Sequence, residues 1–118
     1  MLPRRLRLTH ARDFRHVYGQ RRRRAGRLVD VLTAPNALGH PRAGFSVSAK
    51  VGGSVRRNLV KRRLRAIAGG RLRTLAVGVD IVVVARPGAA EAAFAELREE
   101  LDRLLGAALA ATVPAAPA

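Results

Sequence analysis

No cysteine occurs among the 118 residues, which excludes disulfide staples and thiolate metal sites and is compatible with a reducing compartment. Long apolar runs are missing too. The longest candidate, Asp80 to Ala85, has the length of a strand and is far too short to span a bilayer. Arg4 and Arg5 resemble the basic start of an export signal, but Arg7, Arg12, Asp13 and Arg15 leave no apolar stretch behind them. A cytoplasmic protein with no membrane partner is the expectation. Acids are scarce and unevenly placed. Residues 1–79 hold 20 of the 23 bases but only Asp13 and Asp30, whereas residues 80–118 hold three bases and six acids. Lysine is nearly absent as well, Lys50 and Lys61 being the only two.

What remains is a small basic chain with a net charge of +15 and enough apolar residues, 48%, for one core. Like charges at this density oppose compaction, so a polyanionic partner is the natural explanation. Nucleic acid is the first candidate and an anionic membrane surface the second. One domain over residues 1–111 is expected, with 112–118 a disordered tail.

The periodicities predict the order α-β-β-α-β-α, with room for one small further strand. Thr9 to Tyr18 reads as a helix capped by Thr9, and Arg21 to Arg24 as a solvated basic turn. Leu28 to Ala34 and Ala43 to Lys50 read as strands, the second with alternating faces, and together they suggest an antiparallel hairpin. A helix follows from Val55 to about Leu75 behind a Ser54 cap, with Gly69-Gly70 a place where it bends or stops. Val79 to Ala85 is a β-branched run suited to a strand buried on both faces. Ala89 to Ala111 has the apolar spacing of a long helix.

No catalytic constellation presents itself. His10, His16 and His40 are scattered, and the acids of the last helix read as a solvated face. Gly52-Gly53-Ser54 before a helix is either a capped turn or a phosphate cradle, and it lacks the P-loop spacing. Lys50 to Arg65 is different: seven of its sixteen residues are basic and none is acidic. Asn58, Lys61, Arg62 and Arg65 fall on one helical face beside the apolar stripe Val60, Leu64, Ile67 and Ala68. The segment carries no Trp or Phe anchor, which disfavours a membrane role. Phe14 and Tyr18, one helical turn apart, either fill the core or form a platform for stacking single-stranded bases.

Ser46-Val47-Ser48-Ala49-Lys50-Val51-Gly52, then Arg57-Asn58 and Lys61-Arg62 with Arg65, resembles the signature of the bacterial ribonuclease P protein family. Asp13-Phe14 followed by Val17-Tyr18 is similar to that family's first helix. The resemblance covers nearly the whole chain except the tail. It implies an α/β (α+β) two-layer sandwich around a small mixed sheet, with a left-handed β-α-β crossover, a rare hand. It further implies a subunit of an endoribonuclease in which an RNA is the catalyst and holds Mg2+, with no organic cofactor. The implied partners are that catalytic RNA, one protein to each, and precursor tRNA, whose 5′ leader is gripped in a cleft and removed. Phe14, Tyr18, Ser46 and Lys50 would line the cleft, and Arg57, Asn58, Lys61, Arg62 and Arg65 would face RNA beside it. Two positions depart from the pattern: Leu59 stands where a base is common, and Leu32 where an aromatic is common. The rival readings are a general or ribosome-associated RNA-binding protein, a helix-turn-helix DNA binder, and a self-sufficient nuclease.

Overall fold

The computed structural model describes residues 2–112. Three helices, α1 (Ala11–Gly19), α2 (Ser54–Leu72) and α3 (Phe94–Thr112), pack on a sheet of four strands. The strands are β1 (Arg22–Ala25), β2 (Val29–Pro35), β3 (Arg42–Ser46) and β4 (Val79–Ala85), in spatial order β1-β2-β4-β3. β1 with β2 and β2 with β4 run antiparallel, while β3 and β4 run parallel. The two parallel strands are joined by α2, since a tight turn cannot connect them.

Alternation along the central strands separates two faces. Val29 and Val31 of β2, with Val79, Ile81, Val83 and Ala85 of β4, face the main core. There they meet Val60, Leu64 and Leu72 of α2 and Leu97, Leu101 and Leu105 of α3. This sheet and helix layer form the sandwich. On the opposite face Leu32, Ala34 and Val82 are covered by α1 through Val17, with Phe14 packed at the margin. The main core is the larger of the two.

Several local expectations are corrected. The basic turn at Arg21 to Arg24 is a strand, because β1 pairs through its backbone with Asp30 to Thr33 although every side chain in it is exposed. The supposed hairpin of β2 and β3 does not form: β4 inserts between them, and its buried apolar side chains satisfy both neighbours. The strand expected to reach Lys50 ends at Ser46, and Ala49–Val51 is a single 3₁₀ turn. His10 rather than Thr9 occupies the cap of α1, and Gly53 rather than Ser54 that of α2. Gly69 and Gly70 do not end α2, which runs on to Leu72, because Ala68, Gly69 and Leu72 are buried against the core and tertiary packing outweighs the glycine penalty. α3 begins at Phe94 rather than Ala89, because Pro87–Ala90 forms a separate 3₁₀ turn. At its start Glu96 accepts a hydrogen bond from the Ala93 N–H at 3.2 Å, the returning half of a capping box. The tail expected at 112–118 lies outside the described residues beyond Thr112.

Two carboxylates anchor the frame. Glu100 of α3 is buried and accepts from the backbone N–H groups of Arg27, Leu28 and Val29 at 3.0, 2.6 and 2.9 Å. It thereby ties the last helix to the β1–β2 turn. Asp80 accepts from Arg42 at 2.9 and 2.8 Å and from Asn36 at 2.7 Å.

Candidate nucleic-acid interface

α1 is short and sits where β3, β4 and the N-terminal segment can hold it. Arg42, whose protonated form is favoured by its hydrogen bonds to Asp80 against the cost of burial, also reaches Asp13 of α1 at 3.5 Å. Phe14 comes down on Gly44 of β3, where a β-carbon would lie only 2.3 Å from the ring. Glycine is therefore required for this close approach. Tyr18, one turn further along, remains 41% exposed and free to meet a ligand. Leu32 is buried among Leu8, Val17, Ala34 and Val82, so it supports α1 and offers no stacking surface.

The outer side of α2 is a cationic ridge. A shallow depression of about 570 Å3 is lined by Val55, Asn58, Lys61, Arg62 and Arg65. Val55 is almost fully exposed at its edge. No ion pair among the described residues engages Lys61, Arg62 or Arg65, whereas Arg56 nearby is bonded to Glu91 at 3.0 Å. A second depression, of about 210 Å3, lies across the β3 edge and is lined by Arg7, Thr9, Phe14, Gly44, Phe45 and again Arg65. Arg65 thus joins the α2 ridge to the α1 side of the sheet.

The structure brings Asn58, Lys61, Arg62 and Arg65 together, and sets Phe14 beside Arg65. Tyr18, Ser46, Lys50 and Arg57 line neither of these two depressions. Ser46 is half-buried at the end of β3, and Lys50 is exposed on the 3₁₀ turn, whose Ser48 hydroxyl accepts from the Lys50 N–H at 3.3 Å. Arg57 is half-buried, and its Nε is buried without a hydrogen-bond partner. Leu59 is half-buried on the same helix. Among the described residues no three His, Asp or Glu side chains converge to hold a metal ion, and no helix is long and apolar enough to cross a membrane.

Sequence reading passed over a cluster on the α1 side of the sheet. Asp30, only 1% exposed, accepts from Arg23 of β1 through Nε at 3.0 Å and through Nη2. It also accepts from Arg86, just past β4, at 2.9 and 3.2 Å, and from the Gly26 N–H at 3.1 Å. Nothing local announces this set, because its members come from three separated segments. The one available signal was Asp30 itself, a lone acid in an apolar strand.

A sequence profile of the family described as Ribonuclease P matches residues 2–109. The ribonuclease P protein component of Acidothermus cellulolyticus is 48% identical over 108 residues, covering 90% of each chain. That of Micrococcus luteus is 43% identical over 129 residues, covering 98% of this chain and 97% of the relative. Among solved structures, the RNase P protein of Staphylococcus aureus superposes with a TM-score of 0.81 at 31% identity, over 87% of this chain and 94% of that one. The RNase P protein of Thermotoga maritima gives 0.75 at 32% identity, over 84% and 94%.

Proposed function

The chain belongs to the ribonuclease P protein family, and we propose that within that holoenzyme its α1 side grips the 5′ leader of precursor tRNA. It is a subunit of a tRNA-processing endoribonuclease and has an RNA partner there. The partner of the α2 ridge is the catalytic RNA, one protein to each RNA, and the holoenzyme works in the cytoplasm.

The observation that carries this reading is Arg65, shared by the ridge of Asn58, Lys61 and Arg62 and by the depression beside Phe14. One RNA lying along the ridge and a strand lying across α1 would meet there. Arginine forks and Lys61 neutralise phosphates and release counterions, Asn58 both donates and accepts, and Tyr18 stacks an unpaired base. Lys50 and Ser46, at the far end of β3, extend the leader track, and Arg57 supports the ridge from its half-buried place.

These side chains bind and orient; none is placed to cleave. Mg2+ is assigned to the RNA. Of the protein's buried carboxylates, Asp30 and Asp80 are engaged by arginine and Glu100 by backbone N–H groups. Binding the leader raises the affinity for precursor over mature tRNA and so commits the substrate to the RNA active site.

Reconstitution tests this. The protein is mixed with a bacterial ribonuclease P RNA at low magnesium, and cleavage is followed on precursors with a long leader and with a single leader nucleotide. Stimulation that needs both components and grows with leader length is expected. Tight RNA binding without stimulation would leave only a general RNA-binding role.

A further inference from the structure

Asp30 sits on β2 in alternation with Leu32 and Ala34, so it belongs to the sheet face on which α1 packs. It lies about 7 Å along the strand from Leu32. A buried carboxylate between arginines seldom stabilises a fold more than an aliphatic side chain would. Val29 and Val31 show that this strand accommodates such residues. What an aliphatic residue could not do is gather two guanidinium groups from opposite neighbours of β2.

Arg23 and Arg86 each present the Nε–Nη2 edge to Asp30. Their Nη1 groups make no hydrogen bond among the described residues, and the side chains remain 50% and 43% exposed. Two cations against one anion leave an excess positive charge, held rigidly at the surface and rich in spare donors. That is the chemistry of a phosphate seat, because a planar fork fixed in orientation loses little entropy on binding.

We propose that Asp30 is a positioning residue that aims Arg23 and Arg86 as a paired seat for an RNA phosphodiester. The seat rests on the leader reading above. Its phosphate comes from the leader rather than the catalytic RNA, because the cluster shares the face of Phe14 and Leu32 and not that of α2.

The test uses holoenzyme and measures affinity for precursor tRNA, mature tRNA and, separately, of the protein for catalytic RNA. Bulk electrostatics predicts that Asp30→Asn, which removes a negative charge, tightens RNA binding. The seat predicts the opposite: precursor affinity falls by roughly tenfold as the guanidinium groups splay, with mature tRNA and catalytic RNA unaffected. Arg23→Lys and Arg86→Lys keep the charge and lose the fork, and each should lower the ratio of precursor to mature affinity. They keep the test informative even if Asp30→Asn fails to fold.

An unchanged ratio in both lysine variants overturns the proposal. So does tighter precursor binding by Asp30→Asn, equal losses on both tRNAs, or a loss confined to catalytic RNA. A wild-type holoenzyme that does not distinguish precursor from mature tRNA would sink the leader reading itself, and this seat with it.

Discussion

Phe14 and Tyr18 lie on the same side of α1 but have different duties. The Phe14 ring is seated on Gly44, so its aromatic surface is partly spent on docking the helix. Tyr18 is more exposed and packs less. Tyr18→Ala should therefore weaken precursor binding by about 1–3 kcal/mol if one base stacks there, with an unchanged melting temperature. Gly44→Ala should displace Phe14 and destabilise the fold by about 1–3 kcal/mol. Thermal melts beside tRNA affinities separate the two effects, and a stable Gly44→Ala protein would disprove the close approach. The pairing of Phe14 with Tyr18 was legible as an i, i+4 spacing. The demand for glycine at position 44 was not, since the ring that imposes it belongs to a distant segment.

At the scale of elements, Asp30 stitches β2 to β1 and to the end of β4. Burial pushes its carboxyl up, but hydrogen bonds from Arg23, Arg86 and the Gly26 N–H, with the Arg23 charge, outweigh that and hold it below the usual value. A carboxyl depressed in the folded state contributes stability that is complete above its unfolded pKa, about 3.9. That contribution disappears as pH falls through the lower folded value. Melts of wild type and Asp30→Asn between pH 6 and pH 3 should therefore converge at the acid end, with wild type falling more steeply. Parallel curves would mean that the cluster adds no pH-dependent stability. The neighbouring β1 was not readable as a strand because it has no apolar alternation. Its pairing rests on backbone hydrogen bonds to β2, and its arginines leave a charged edge that resists further pairing. α2 was readable because its apolar positions keep helical spacing, and β4 because it is a nearly continuous β-branched run.

The whole molecule carries its charge asymmetrically, and this predicts its response to salt. For single-stranded leader, log Kobs should fall linearly with log salt, at about 0.7 per neutralised phosphate. Arg62→Ala should reduce the slope for catalytic RNA by about one. Titrations of wild type and variant at several salt concentrations check both, and a flat dependence would show that residues 1–79 are not the binding surface.

By itself the sequence determined the class of partner, the helical cationic face from Asn58 to Arg65, the aromatic pair on α1 and the buried strand Val79–Ala85. These follow from composition and short-range periodicity, which operate within one element. The tertiary structure alone decided that β4 lies between β2 and β3, that Arg65 serves two surfaces, and that Arg23 and Arg86 meet on Asp30. Each of these depends on which strand pairs with which. Pairing is settled by burial of complementary faces brought together from far along the chain, and a local pattern holds no record of its eventual neighbour.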